Sequence, residues 1–166
     1  MRFNFFNISL LWLAIFSMTV HADTISKENV PERVFDYIYK KHPDATNLII
    51  EEKTHFGHHL YEVNFSTMHK DQNNQNYEIS KLFRMNGHFF ADALNMKKQV
   101  FNIITDAAKK TLQTYDPNYE ILSLKIVTNP NGAGEEYEIE LLAQGDKLNI
   151  SIDDHGRVIS QIKLES

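Results

Sequence analysis

Along residues 59–65, HLYEVNF, apolar and polar positions alternate singly. In an extended chain Tyr61, Val63 and Phe65 fall on one face, and Leu60, Glu62 and Asn64 on the other. The pattern returns at 135–141 as EEYEIEL. Between and around these stretches the period changes. In NVPERVFDYIYKKH, residues 29–42, Val30, Val34 and Ile38 recur at helical spacing, with Phe35 and Tyr39 widening the stripe. Asn29 with Glu32 makes a capping-box pattern, and Pro43 ends the helix because it forces its predecessor out of the helical region. Alternating or β-rich runs at 47–55, 59–68, 76–85 and 88–94 predict four strands. The third and fourth are joined at Asn86-Gly87, a strong hairpin signal.

The same plan then restarts. Residues 95–115 carry a helical stripe of Met96, Val100, Ile104 (or Ile103), Ala107, Ala108, Leu112 and Tyr115, closed by Asp116-Pro117. Strands are predicted at 119–127, 135–143, 147–153 and 157–164. This order predicts an α+β fold of two tandem units, 30–94 and 95–166. Each is one helix followed by a three- to four-stranded antiparallel meander, with the helices packed on one sheet face. The expected core is Tyr61, Val63, Phe65, Ile79, Phe83 and Met85 in the first unit. In the second it is Leu122, Leu124, Ile126, Tyr137, Ile139, Leu141, Leu148, Ile150 and Ile152. A unit this small is marginal alone, so the two are expected to pack together, through a shared or a continuous sheet.

The N-terminus changes the compartment. A short start carrying Arg2, a 13-residue apolar run at 8–20 and the sequence VHA at 20–22 predict a signal peptide over 1–22, cleaved after Ala22. That run is shorter than the roughly 20 residues a membrane-spanning helix needs. Residues 23–29 are a polar lead-in. The predicted location is the periplasm or the medium, without stable membrane association after cleavage. Without Arg2 the chain has 16 basic and 22 acidic residues, a formal net charge of 16 − 22 = −6. An acidic balance argues against nucleic acid as a partner. The chain has no cysteine, which excludes a disulfide framework and thiolate chemistry.

Several residues together resemble a known group. Pro31 and Val34, KKHPDA at 40–45, YEV at 61–63, YEI at 137–139 and IDDHGRVI at 152–159 resemble the PepSY-like, beta-lactamase-inhibitor-protein-like domains, as two tandem units. The chain departs from that pattern at Met85-Asn86-Gly87, where the acidic turn would stand, and in its longer second helix. The resemblance implies paired helix-plus-meander units, exported by bacteria and without catalysis. Relatives are associated with binding proteins, including enzymes such as peptidases or beta-lactamases.

The residues themselves carry little chemistry. No Gly-rich phosphate loop, nucleophile elbow or zincin motif occurs, so no enzyme activity and no cofactor are expected. HFGHH at 55–59 places His55, His58 and His59 around one turn, a weak candidate for a metal-ion or small-ligand sensor. Adjacent His58 and His59 point to opposite faces, so at most two imidazoles converge. DDHG at 153–156 lacks the spacing of a calcium loop and reads as a tight turn with Gly156 at positive φ. The remaining candidate is the solvent face of the sheets, with Glu62, Asn64, Glu78, Leu82 and Arg84, then Glu136, Glu138, Glu140 and Leu142. Three glutamates in a row repel unless Lys147 or another base pairs across. That face is the expected protein-partner surface, in an exported non-catalytic binding module that inhibits or modulates an enzyme such as a peptidase.

Overall fold

The computed structural model describes residues 24–70, 76–96, 98–132 and 134–164. The predicted signal peptide and most of the polar turn after residue 70 lie outside the described residues. Eight strands form one antiparallel sheet in chain order: β1 (Thr46–His55), β2 (His58–Lys70), β3 (Asn76–Arg84), β4 (Phe89–Asn95), β5 (Glu120–Thr128), β6 (Glu135–Ala143), β7 (Asp146–Asp153) and β8 (Val158–Leu164). The described α-helices are α1 (Glu32–Lys41) and α2 (Asp106–Gln113), of ten and eight residues.

The expectation of an α+β fold in two tandem helix-plus-meander units is therefore overturned. The molecule is mainly β, with one continuous sheet and two short helices laid on it. The sheet runs without interruption through the predicted unit boundary. β4 pairs with β5 through Ala93–Val127, Leu94–Ile126 and Asn95–Lys125. A second correction concerns the helix expected over 95–115. Lys98–Ile103 is a 3-10 helix, and α2 begins only at Asp106. Thr105 explains the break. Its Oγ1 accepts from the Ala108 N–H at 3.2 Å and donates to the Asp154 carbonyl at 2.7 Å, so it caps a new helix. The predicted Asn29–Glu32 capping box does not form either. Asn29 closes a 3-10 turn and Pro31 precedes α1, with no side-chain cap.

Both helices lie on the same face of the sheet. Val34 and Ile38 of α1 pack on Ile50, Tyr61, Val63, Phe65 and Phe83. Ile104, Ala108 and Leu112 pack on Leu124, Ile126, Tyr137, Ile139, Leu141, Ile150 and Ile152. Full burial of such side chains stabilises by roughly 1.5–3 kcal/mol each. Of the predicted core, Met85 and Leu122 are exposed. In the β7–β8 turn Gly156 has φ 82°, and a Cβ there would stand 2.6 Å from the Ala107 carbonyl of α2. Only glycine permits both that conformation and that approach.

Candidate functional site

The face without helices is not a wet face. Strand alternation places Lys53 and His55 of β1, Leu60 and Glu62 of β2, Ser80 and Leu82 of β3, Lys125 and Val127 of β5, and Glu136, Glu138 and Glu140 of β6 on it together. The sheet curls until strands that are not neighbours touch across this face. His55 Nδ1 of β1 lies 3.0 Å from Glu136 Oε2 of β6, and the Phe56 N–H donates to Glu136 Oε1 at 2.9 Å. Lys125 of β5 donates to Glu62 Oε1 of β2, and the Ser80 hydroxyl donates to the same oxygen. Glu138 sits between, with Lys53 Nζ at 3.6 Å, Lys125 Nζ at 3.6 Å and His55 Nε2 at 3.4 Å. The last contact is an ion pair by distance, without hydrogen-bond alignment.

Three carboxylates, Glu62, Glu136 and Glu138, thus meet three bases, Lys53, His55 and Lys125. Burial by itself would lower the His55 pKa, but the Glu136 hydrogen bond and the adjacent Glu138 carboxylate outweigh it and raise the imidazole to about 9. His55 is therefore an imidazolium at neutral pH, and the set balances in charge. Burial would raise Glu138, yet the neighbouring His55 imidazolium and the Lys125 and Lys53 charges bring it down to about 2. For Lys125, burial acts to lower the pKa, and Glu62 and Glu138 more than reverse it. Beside these charges Leu60, Leu82, Phe90, Ala91, Ala93 and Val127 form an apolar cluster, with Leu60 and Val127 on the same face as Glu62 and Lys125.

The predicted partner-surface residues separate on this geometry. Glu62, Leu82 and Glu136 are buried, Glu62 with a relative exposure of 0%. Asn64, Arg84, Glu138 and Glu140 are half-buried, and only Glu78 and Leu142 of that predicted face are exposed. The physical reason is the curl: alternation tells which side a residue points to, and not whether that side meets water or the far end of its own sheet. Lys147 does pair with Glu140, at 3.3 Å. The row Glu136-Glu138-Glu140 carried the one available signal of a buried network, since it demanded bases. Lys53 and Lys125, which supply two of them, sit on other strands without any motif.

The histidine set does not converge. His55 is buried in the network, while His58 and His59 are exposed and the His58 ring lies 5.5 Å from that of Phe90. DDHG forms the predicted turn, with Gly156 N–H donating to the Asp153 carbonyl at 2.9 Å. One ligand atom each from Asp153, Asp154 and His155 lies within 4.8 Å of the others. Asp153 is already engaged, accepting from the backbone N–H of His155 and Arg157 and from Arg157 Nε.

The two edges of the sheet differ. At β1, the Ile25 N–H donates to the Ile50 carbonyl at 2.8 Å, so the lead-in covers part of the edge. At β8, six of seven residues are exposed, among them Val158, Ile159 and Ile162 at 39%, 40% and 39%. Among the described residues, no strand pairs with its outer side and no helix is long and apolar enough to cross a membrane.

No family model and no curated protein matches this chain. Among solved structures, a protein from Bacteroides eggerthii assigned to the periplasm is similar at TM-score 0.49 and 13% identity, covering 81% of this chain and 88% of that one. A BLIP-like protein from Bacteroides fragilis is similar at TM-score 0.45 and 16% identity, covering 81% and 86%. A DUF2874 family protein from Bacteroides uniformis is similar at TM-score 0.48 and 13% identity, covering 81% and 89%.

Proposed function

We propose that the chain is an exported, non-catalytic module that binds a protein partner by taking an extended segment of it along the free edge of β8. The observation that carries this reading is that edge. Among the described residues no strand pairs with its outer side, which is flanked by exposed Val158, Ile159 and Ile162, the combination that strand addition uses. The charged cluster supports the non-catalytic part. Its acids and bases are matched to one another, which leaves no poised base or nucleophile within it. The resemblance in the sequence supplies the partner class, an enzyme such as a peptidase, which the module would inhibit or modulate. The predicted signal peptide supplies the compartment, the periplasm or the medium.

The test compares the mature chain with its Val158→Glu/Ile162→Glu variant as bait in the exporting cell's periplasm and medium, with captured proteins identified by mass spectrometry. A saturable protein partner held by the first and lost by the second is expected. Backbone amides of 158–164 should gain protection from hydrogen exchange when that partner binds. A partner held equally by both baits, or a specifically bound small molecule in place of a protein, overturns the reading.

A further inference from the structure

The β1–β2 turn does not rest in a relaxed conformation. The chain reverses through Phe56 and Gly57, between the paired residues His55 and His58. Both central residues have positive φ, 51° at Phe56 and 72° at Gly57. A two-residue hairpin loop of this kind favours asparagine, aspartate or glycine at its first position. Phenylalanine there carries the steric cost of the left-handed region, and such outliers persist only where the surroundings hold them.

Here one side chain does the holding. Glu136 uses both carboxylate oxygens on this turn, Oε1 on the Phe56 N–H at 2.9 Å and Oε2 on His55 Nδ1 at 3.0 Å. The grip is therefore on the strained residue itself and on its neighbour, from a strand five places away across the sheet. The turn also has something to cover. Phe56 and Gly57 form one wall of a cleft of about 580 Å³, whose other walls are Glu135 and Glu136 of β6, Asp154 in the β7–β8 turn and Ile159 of β8. That volume is within the range of small-ligand sites.

We propose that the β1–β2 turn is a sprung lid over this cleft, latched by the Glu136 carboxylate. The cost of holding Phe56 left-handed favours release, and the two bonds to Glu136 oppose it. Removing the latch opens the turn while both helix-covered cores stay folded, because Glu136 lies on the opposite face from them. The latch contacts themselves, from Glu136 to Phe56 and His55, involve no residue of β8, although Ile159 lines the cleft.

Proton occupancy at His55 gives the latch a second control. The groups that face His55 are Glu136 and Glu138 of β6, Lys53 of its own strand and His58 of β2. Lys125 of β5 reaches Glu138, and Asp153 of β7 lies opposite Glu136. Loss of the His55 proton leaves the carboxylates of β6 short of one positive charge, so the lid should loosen in alkali.

The test is amide hydrogen exchange, read residue by residue by NMR. In Glu136→Gln, the amides of 55–58 should exchange about tenfold faster than in the wild type or more, with Tyr137–Ile152 unchanged. Adding Phe56→Asn, which tolerates the left-handed turn, should return much of that protection. If Glu136→Gln does not fold, the wild type at pH 7 and pH 10 gives the same readout after correction for intrinsic exchange, with selective loss at 55–58 expected at pH 10. Equal protection of the turn with and without the latch overturns the proposal. So does a rise in exchange spread evenly over the whole sheet, or a Phe56→Asn substitution that restores nothing.

Discussion

The two faces of this sheet are built on opposite principles. The helix face is apolar throughout its two clusters, under α1 and under α2. The other face has the same alternation, yet it holds three acids and three bases beside an apolar cluster. Apolar packing tolerates local relaxation, because it is non-directional. Buried charge does not, because each group removed leaves its partner uncompensated. The difference predicts that single and paired substitutions will behave differently on the two faces.

The largest effect is expected on the charged face. Lys125→Met leaves the Glu62 carboxylate buried with Ser80 alone on its bonded oxygen, and should cost about 3–5 kcal/mol in urea unfolding. Glu62→Leu/Lys125→Met should recover most of that loss, since well-packed apolar pairs often match buried ion pairs. Failure of the double variant to recover would show that the charges hold the curl of the sheet by something more than their pairing. On the helix face Ile139→Ala should cost about 2–5 kcal/mol, and no second substitution among its apolar neighbours should repair it.

Titration gives a comparable signal without mutation. The folded His55 pKa of about 9 stands above its ordinary value of 6.5, so its contribution is complete below pH 6.5 and disappears as pH rises through 9. The swing should be on the order of 3 kcal/mol, and His55→Gln should abolish it. Glu138 behaves in the opposite sense. Its contribution is present above pH 4.5 and is lost as pH falls towards about 2. Stability should therefore plateau between these windows in urea titrations at fixed ionic strength. A profile flat from pH 6 to 10 would remove the buried imidazolium from the account. The smallest effect on stability is expected at β8, where Val158→Glu/Ile162→Glu should change unfolding free energy by less than about 1 kcal/mol while abolishing partner capture.

The helix face was largely legible from residue order. Val34 and Ile38 at helical spacing, and Tyr61, Val63, Phe65, Tyr137, Ile139 and Leu141 at strand spacing, are where their periods place them. The second helix was misread because the apolar stripe continues through the 3-10 segment, whereas Thr105 and its bond to Asp154 set where α2 starts. The fold class is not legible from residue order, because the helical stripes do not show how short the helices are and the pairing of β4 with β5 leaves no mark in either strand. At the candidate site, Glu62 and Glu136 were placed on the correct side of their strands and assigned to the wrong surroundings.

Periodicity is a local property, so the sequence by itself determined which residues share a face and where most turns fall. Whether a face meets solvent depends on curvature summed over eight strands, and on contacts between His55 and Glu136 that are 81 residues apart. Only the tertiary structure decided that Glu62 and Glu136 are interior, since the bases that neutralise them come together only once the sheet has curled.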